Sequence, residues 1–180
     1  YDSSKLTSMV EKVTAGATSS LGKIKMVGYD VGNLAGMLEK VTTGATAALG
    51  NIEMEGFSVD NLSSMVEKVT SGATAALSRI QMNGFSSDNL TLMAEKVKDG
   101  SKGSLNKIKM KGYDPSNKPA GLENSVNTGA SNGVAKQPPM LKEITAVKTP
   151  SSETTPSYVF NSNKSGNISY GGNCTSSTTT

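Results

Sequence analysis

The sequence has 180 residues, of which 35% are hydrophobic and 4% aromatic, and 18 basic against 15 acidic residues give a net charge of +3. The charges are mixed along the chain, so there is no strong positive field of the kind that binds nucleic acid. With no His and one Cys, the chain lacks the usual general base, an internal disulfide framework and a multi-cysteine zinc site. No apolar stretch approaches the roughly 18 residues of a membrane span. Composition therefore argues against most enzymes, and nothing in it predicts a catalytic residue, a metal site or a cofactor.

An internal repeat dominates the order of the residues. Four copies of a 28-residue unit, at 6–33, 34–61, 62–89 and 90–117, share the skeleton L-x-x-M-x-E-K-V-x-x-G-x-x-x-x-L-x-x-I-x-M-x-G-[YF]. The first five residues, YDSSK, match the end of a unit, so we expect a fragment that starts inside the array. Residues 118–140 are either a degenerate fifth unit or a linker, because ENSVNTGAS still echoes EKVTSGAT while Pro residues interrupt the segment on both sides of it.

Each unit has the pattern of an amphipathic helix. In the third unit the apolar or small residues recur at alternating intervals of four and three: Leu62, Val66, Val69, Ala73, Ala76 and Ile80. Asp30 or Ser58, just before the periodic run, can serve as an N-cap. One such helix cannot bury its apolar stripe alone, whereas stacked neighbours can. The sequence therefore predicts a mainly α fold with an α-solenoid-like repeat array over residues 1–117.

Two glycine positions in the unit predict the ends of the helices. Gly84 suits a left-handed stop in which Ile80 contacts Phe85, as in a Schellman motif. A second glycine recurs in the middle of the periodic run and costs about 1 kcal/mol relative to Ala in a helix interior: Gly16, Gly44, Gly72 and Gly100. This recurrence predicts a helix that is broken or kinked there, and we favour a break into two shorter helices.

An α/β solenoid is the alternative fold. The spacing of Leu77, Ile80 and Met82 resembles the strand of a leucine-rich repeat, and 28 residues fall within the length range of that repeat. The Asn that such a repeat places after its strand is absent. The alternative predicts binding on a strand face, but the helical pattern of the whole unit favours an all-α array.

Two recurring side-chain types are candidates for binding. The Glu–Lys pairs could form a ladder of charged binding groups, although a solvated helix face is the usual meaning of such a run. The Met residues could form an adaptable binding surface, although Met at helical spacing more often fills a core. The pairs are Glu11–Lys12, Glu39–Lys40, Glu67–Lys68 and Glu95–Lys96, and the Met residues are Met9, Met37, Met65 and Met93 with Met26, Met54, Met82 and Met110.

The remaining segment, 141–180, has a different composition. Two runs rich in β-branched and aromatic residues, LKEITAV and SYVFN, lie between clusters of Gly, Asn, Ser and Pro. This pattern predicts short strands and turns. A segment of about 40 residues has too few strands to close a core, so we expect a truncated β segment.

A family resemblance concerns this same segment. From Thr149 onward the runs TTPSYVF and SGNISYGGNC and the closing Ser/Thr run resemble the opening strands of bacterial Ig-like domains, which occur in tandem on large surface proteins. In that family the first Cys of the domain typically pairs with a later one. Cys174 matches the first position, so the resemblance implies a disulfide whose partner lies outside this sequence. It also implies an exported bacterial protein at the cell surface or outside the cell.

These features predict a non-enzymatic structural or interaction region of a larger bacterial surface or adhesin-type protein. The array would act as a spacer or present a repeated binding face to an unidentified protein or surface ligand. The alternative is an α-solenoid scaffold that binds a protein or peptide. Exposed residues at one position of the unit change sign, which favours the spacer and argues against a repeated nucleic-acid site: Lys25, Glu53, Gln81 and Lys109.

Overall fold

The computed structural model describes residues 3–25, 27–53, 57–82, 84–147 and 152–169. The fold is mainly helical, with a small two-stranded antiparallel sheet. The chain divides into two compact units, Tyr1–Gln137 and Pro138–Thr180. The first unit contains helices α1 (Ser3–Leu21), α2 (Val31–Ala48), α3 (Val59–Ala76), α4 (Leu90–Ser104) and α5 (Leu122–Lys136), and the second contains strands β1 (Leu141–Thr145) and β2 (Val159–Ser162).

Each of the four sequence repeats contributes one α-helix, and the predicted N-caps are confirmed. The carboxylate of Asp30 accepts a hydrogen bond from the backbone N–H of Asn33 at 3.0 Å, and the Asn33 side chain accepts one from the N–H of Asp30 at 3.0 Å. Ser58 and Asn61 form the same reciprocal cap at the start of α3. Each cap satisfies backbone N–H groups that have no partner inside the helix.

The predicted break in the middle of the repeat is wrong. Helix α3 continues through Gly72 without interruption, and α4 continues through Gly100 in the same way. The helical stripe on either side of each glycine supplies enough packing to outweigh the low intrinsic propensity of one residue. The reason for the recurring glycine is a contact between helices, which is described with the candidate site.

The end of each repeat differs from the predicted Schellman stop. Helix α3 is followed by a short 3₁₀ turn over Leu77–Arg79, and Ile80 is extended, so Ile80 does not belong to the last helical turn. Gly84 does have a positive φ, of 80°, as the sequence predicts. It lies in a β-turn closed by a 3.1 Å hydrogen bond from the N–H of Phe85 to the carbonyl of Met82, and a positive φ suits glycine there.

The leucine-rich-repeat alternative is also wrong. Leu77 lies in the 3₁₀ turn, and neither Ile80 nor Met82 lies in a strand. Among the described residues, both strands lie in the second compact unit, outside the repeats. Leu77 and Ile80 are buried by packing between helices and not on a sheet face.

The helices of the first compact unit form two layers. Helix α3 packs mainly against α1 and α5, and α2 packs mainly against α4. Each helix from α3 onward therefore stacks on the helix two repeats before it, and helices adjacent in sequence alternate between layers. The core between them combines residues of several units, for example Met65 and Val69 with Leu105 and Val126.

The segment 118–140 contains helix α5, and this helix packs in the same way as a repeat. It lies against α3, and the Gln137 side-chain amide donates a 2.7 Å hydrogen bond to the carbonyl of Thr74. Leu122 and Val126 are buried in the shared core. The segment thus contains a helix with the same packing partner as a repeat helix would have.

The second compact unit contains two of the predicted strands. Strand β1 pairs antiparallel with β2, with Leu141 opposite Ser162 and Glu143 opposite Phe160, and the register is irregular before Thr145. All five residues of β1 are exposed. The run SGNISYGGNC forms no strand over the part that is described, 165–169, and Cys174 lies outside the described residues.

Candidate functional site

The recurring glycine is a point at which stacked helices approach each other closely. A Cβ atom at Gly72 would come closer than 3.0 Å to the carbonyl oxygen of Glu11, so no side chain fits there. The same conflict would arise between Gly100 and Glu39 and between Gly129 and Glu67. Three contacts therefore join the same two positions of units two repeats apart. We call this the Glu–Gly contact.

The Glu11 carboxylate joins three basic or polar groups of other helices. It accepts a 3.1 Å hydrogen bond from the Ser71 hydroxyl and a hydrogen bond from the Lys136 ammonium, and Lys68 Nζ lies 3.9 Å away. Burial raises the pKa of Glu11, but the hydrogen bonds and the charges of Lys136 and Lys68 outweigh it, so the pKa is lower than the ordinary 4.5. The expected solvated face is therefore wrong for Glu11, which links α1, α3 and α5.

The other glutamates of the repeat make related contacts. Glu39 lies 3.8 Å from Lys96, which repeats the pairing of Glu11 with Lys68. Glu67 accepts a 2.9 Å hydrogen bond from the Asn132 side chain. These pairs are partly exposed, so each contributes about 0–1 kcal/mol. Both pairs link stacked helices, and they do not converge on a ligand site.

The first methionine of each repeat differs in its exposed fraction from unit to unit. Met65 and Met93 are 2% and 0% exposed, as expected of core residues, but Met9 and Met37 are 43% and 37% exposed. The core interpretation is thus right for α3 and α4 and wrong for α1 and α2. Met82 and Met110 are partly buried, and Met26 and Met54 lie outside the described residues.

The exposed methionines belong to a larger surface, which we call the open edge. Val13 is 69% exposed, whereas its counterpart Val69 is fully buried. Among the described residues, no atom lies within 4 Å of a Cβ placed at Gly16 or Gly44. The open edge is the face of α1 and α2 that has no stacked helix in front of it, and it comprises Met9, Val13, Gly16, Met37 and Gly44.

A groove of about 510 Å³ lies beside α2 on this edge. The Tyr29 hydroxyl is buried and lacks a hydrogen-bond partner within the described part of the chain, and burial raises the pKa of Tyr29. In the fourth unit the equivalent Tyr113 donates a 2.8 Å hydrogen bond to the carbonyl of Leu105. The groove lining is mainly apolar, with Lys40 as its charged member: Ile24, Val27, Gly28, Tyr29, Gly32, Asn33, Gly36, Met37 and Lys40.

The opposite edge of the array is polar. Helices α1 to α3 present Thr and small residues to the next helix of their layer, for example Thr70, Ser71 and Thr74. Helix α4 has Lys98, Asp99 and Lys102 at those positions, and helix α5 carries several Asn residues. Lys98 pairs with Glu95 at 2.8 Å and Lys96 with Asp99 at 3.6 Å. A charged outer face is typical of a terminal, capping repeat.

The contacts of the recurring Glu and Gly residues join helices to one another. Within the described residues there is no group of three or more potential metal ligands, and no helix is long and apolar enough to cross a membrane. Sequence reasoning identified the Glu and Gly columns but missed their mutual contact and the participation of Ser71 and Lys136. The first two contacts join positions 61 residues apart, which is two repeats plus five residues, and the third, between Glu67 and Gly129, is longer by one residue. This nearly constant separation is the signal in the sequence from which the contact can be predicted once layers of alternating helices are considered.

Comparison with known proteins gives no relative. No protein-family model matches the sequence, and no curated protein or solved structure is significantly similar to it. The resemblance to bacterial Ig-like domains therefore stays a prediction.

Proposed function

We propose that this chain is a non-enzymatic structural region of a larger bacterial surface or adhesin-type protein. In this proposal the repeats form an α-solenoid, and the solenoid acts as a spacer or presents a repeated face. The Ig-like segment with Cys174 begins a downstream module, and the protein is exported. The partner is a protein or surface ligand that the array positions.

The Glu–Gly contact carries the proposal. It joins Gly72 to Glu11, Gly100 to Glu39 and Gly129 to Glu67 with one geometry. A contact that repeats along the chain adds one helix to a layer at a time without changing the rest, which is the physical basis of a solenoid. Backbone contact at a glycine also fixes the helix spacing closely, because no flexible side chain lies between.

The second compact unit supports a place within a larger protein. A two-stranded sheet is at best marginally stable in water. Here the sheet leaves large apolar side chains exposed, among them Leu141, Ile144 and Val159. Further strands of a β domain would cover them, which agrees with the proposed Ig-like module.

An internal duplication tests the solenoid and its spacer role. A copy of residues 34–89 inserted between Asn89 and Leu90 should add one helix to each layer. The distance between spin labels at Ser8→Cys and Ser131→Cys, in a Cys174→Ser background, should then increase by one helix spacing, about 8–10 Å. An unchanged distance, or a broad distribution typical of a disordered insert, would refute the solenoid.

A matched insert provides the control. When Gly44 and Gly72 of the inserted copy are both changed to Leu, the Glu–Gly contacts of the insert cannot form, and the ordered increase in distance should be lost. The surface location is tested separately by an antibody against the array, which should label intact cells of the source organism. Labelling that requires permeabilised cells would refute the proposed location.

The alternative scaffold function makes a different prediction. A peptide-binding scaffold should depend on one column of exposed side chains, whereas a spacer should tolerate changes there. The charge at one such column varies between Lys25, Glu53 and Gln81, which supports the spacer. Exchange of the residues in this column between units should leave a spacer unaffected and should abolish scaffold binding.

A further inference from the structure

The open edge has the same residues as the interior contacts but lacks a partner helix. Helices α1, α3 and α5 form one layer. In this layer Met9, Val13 and Gly16 of α1 correspond to Met65, Val69 and Gly72 of α3. The α3 residues are buried against α1, whereas Met9, Val13 and Gly16 are exposed. The exposed residues of α1 are thus of the same types as the residues of α3 that pack against α1.

The layer of α2 and α4 shows the same difference in exposure. Met93 and Gly100 of α4 are buried against α2, while the equivalent Met37 and Gly44 are exposed. The contact of Gly100 includes the carbonyl of Glu39. At Gly44 no described atom lies within 4 Å of the position that a Cβ would take. Two helices in two layers therefore present equivalent unfilled surfaces.

The loops between the helices show the same difference in their surroundings. A Cβ at Gly84 would lie 3.9 Å from the Val31 side chain two repeats earlier, and one at Gly112 would lie 3.7 Å from Val59. The equivalent Gly28, which lines the groove beside α2, has no such neighbour among the described residues. The groove is therefore the place where the loop of an earlier unit would pack.

The lysine side chains of the open edge would also pair with a further helix of this repeat. Inside the array Lys68 lies near Glu11, and Lys96 lies near Glu39. At the open edge the equivalent lysines, Lys12 and Lys40, form no ion pair within the described part of the chain. A helix with the Glu of the repeat at the usual level would supply a carboxylate to each lysine and a carbonyl oxygen to each glycine.

We propose that the open edge is a docking surface for two further helices of the same repeat, with one helix stacked on α1 and one on α2. The established interior contact continues directly onto this edge, which commits the occupant to a helix with the Glu, Thr and small-residue face of α1, α2 and α3. This inference rests on the proposed stacking function. Insertion inside the array tests stacking, and extension at the edge tests the edge, so the two can fail separately.

A second copy of the chain does not offer the required face. The Glu, Thr and small-residue faces of α1, α2 and α3 are covered by α3, α4 and α5 within the same array. Helix α4 has a free face, but it carries Lys98, Asp99 and Lys102 at the positions that should pack against Gly16 or Gly44. Docking of this face would bury Lys102 and the ion pairs that Lys98 and Asp99 form, which is unfavourable because charged groups lose their hydration.

The experiment extends the full chain by a copy of residues 34–84 placed directly before Tyr1, which keeps the 28-residue register. Oxidation of Met9 and Met37 by hydrogen peroxide is followed by mass spectrometry, because the susceptibility of Met follows its exposure. In the 180-residue chain both should oxidise much faster than buried Met93. In the extended chain both rates should fall to that of Met93. Unchanged rates would overturn the proposal, whether or not the added helices fold.

Two variants sharpen this test. Gly16→Leu with Gly44→Leu should restore fast oxidation in the extended chain, since a side chain there blocks the Glu–Gly contact. Ser8→Leu is the matched control for α1 and should leave the protection of Met9 intact, because Leu92 at the same position of α4 is exposed in the stacked array. Protection of Met9 in the unextended chain that rises with protein concentration would assign the edge to a second copy and would also overturn the proposal.

Discussion

Helices α1 and α3 have almost the same sequence, SMVEKVTAGAT against SMVEKVTSGAT, but very different surroundings. Helix α3 has a stacked neighbour on both sides, α1 and α5, whereas α1 has α3 on one side and the open edge on the other. The same Met and Val are therefore core residues in one helix and surface residues in the other. In a repeat array, burial is a property of the neighbours and not of the unit, so equal substitutions in α1 and α3 should have unequal effects.

Truncation of the methionine should give the largest difference. Met65→Ala removes a fully packed side chain from the core and should lower the free energy of unfolding by about 2–5 kcal/mol. Met9→Ala should change it by only about 0.5 kcal/mol, as is usual for surface positions. Urea unfolding followed by circular dichroism measures both, and equal losses would mean that α1 is as well packed as α3.

The recurring glycine should give effects of opposite sign. Gly72→Ala places a methyl group against the Glu11 carbonyl and should destabilise the protein by about 1–3 kcal/mol. Gly16→Ala meets no described atom and should stabilise it by up to about 1 kcal/mol, because Ala favours a helix more than Gly does. Thermal melts of the two variants measure the signs, and stabilisation by Gly72→Ala would contradict the close approach of the helices.

The stabilisation that the helix caps provide should not depend on stacking. Asp30 caps α2 at the open edge, and Ser58 caps α3 in the interior, each through the same reciprocal pair with an Asn. Asp30→Ala and Ser58→Ala should each cost about 1 kcal/mol, because a cap satisfies backbone groups of its own helix. A loss confined to one of them, measured by urea unfolding, would show that the cap depends on tertiary packing.

The smallest effect is expected from the charges and should depend on pH. The folded state lowers the pKa of Glu11 below 4.5, so the ionised carboxylate stabilises the fold at neutral pH. This contribution, up to about 1 kcal/mol for a partly exposed pair, should disappear as the pH falls below 4.5 and through the pKa of the folded state. Glu11→Gln should therefore be less stable than the wild type at pH 7 but equal to it at low pH. A difference that persists in acid would exclude the charge as its cause.

Local features of the fold were predictable from the sequence. Helical periodicity placed a helix in each repeat, the residues before it identified the caps, and Gly84 required a positive φ. The errors arose where local propensity and tertiary packing disagree. Gly72 has a low helix propensity and suggested a break, but it lies in a continuous helix because it allows a neighbouring backbone to approach. Ile80 suggested a helical stop or a strand, yet it is an extended, buried residue outside both a helix and a strand.

The candidate site depended still more on tertiary structure. The sequence identified the Glu, Lys, Met and Gly columns, but the usual meaning of a Glu–Lys run, a solvated face, was wrong for Glu11. Its partners Ser71 and Lys136 lie 60 and 125 residues away in sequence. No local pattern encodes a contact of that range.

The order of residues within a unit specifies an amphipathic helix in each repeat and the caps at Asp30 and Ser58, since backbone propensity, capping and periodicity act within about one helix length. It also determined which residue types are available to every unit. Tertiary packing, by contrast, places each helix from α3 onward on the helix two repeats before it and determines which copies of the same Met, Val and Gly are covered. Near-identical units have near-identical local preferences, so their different environments can arise only from contacts between distant parts of the chain.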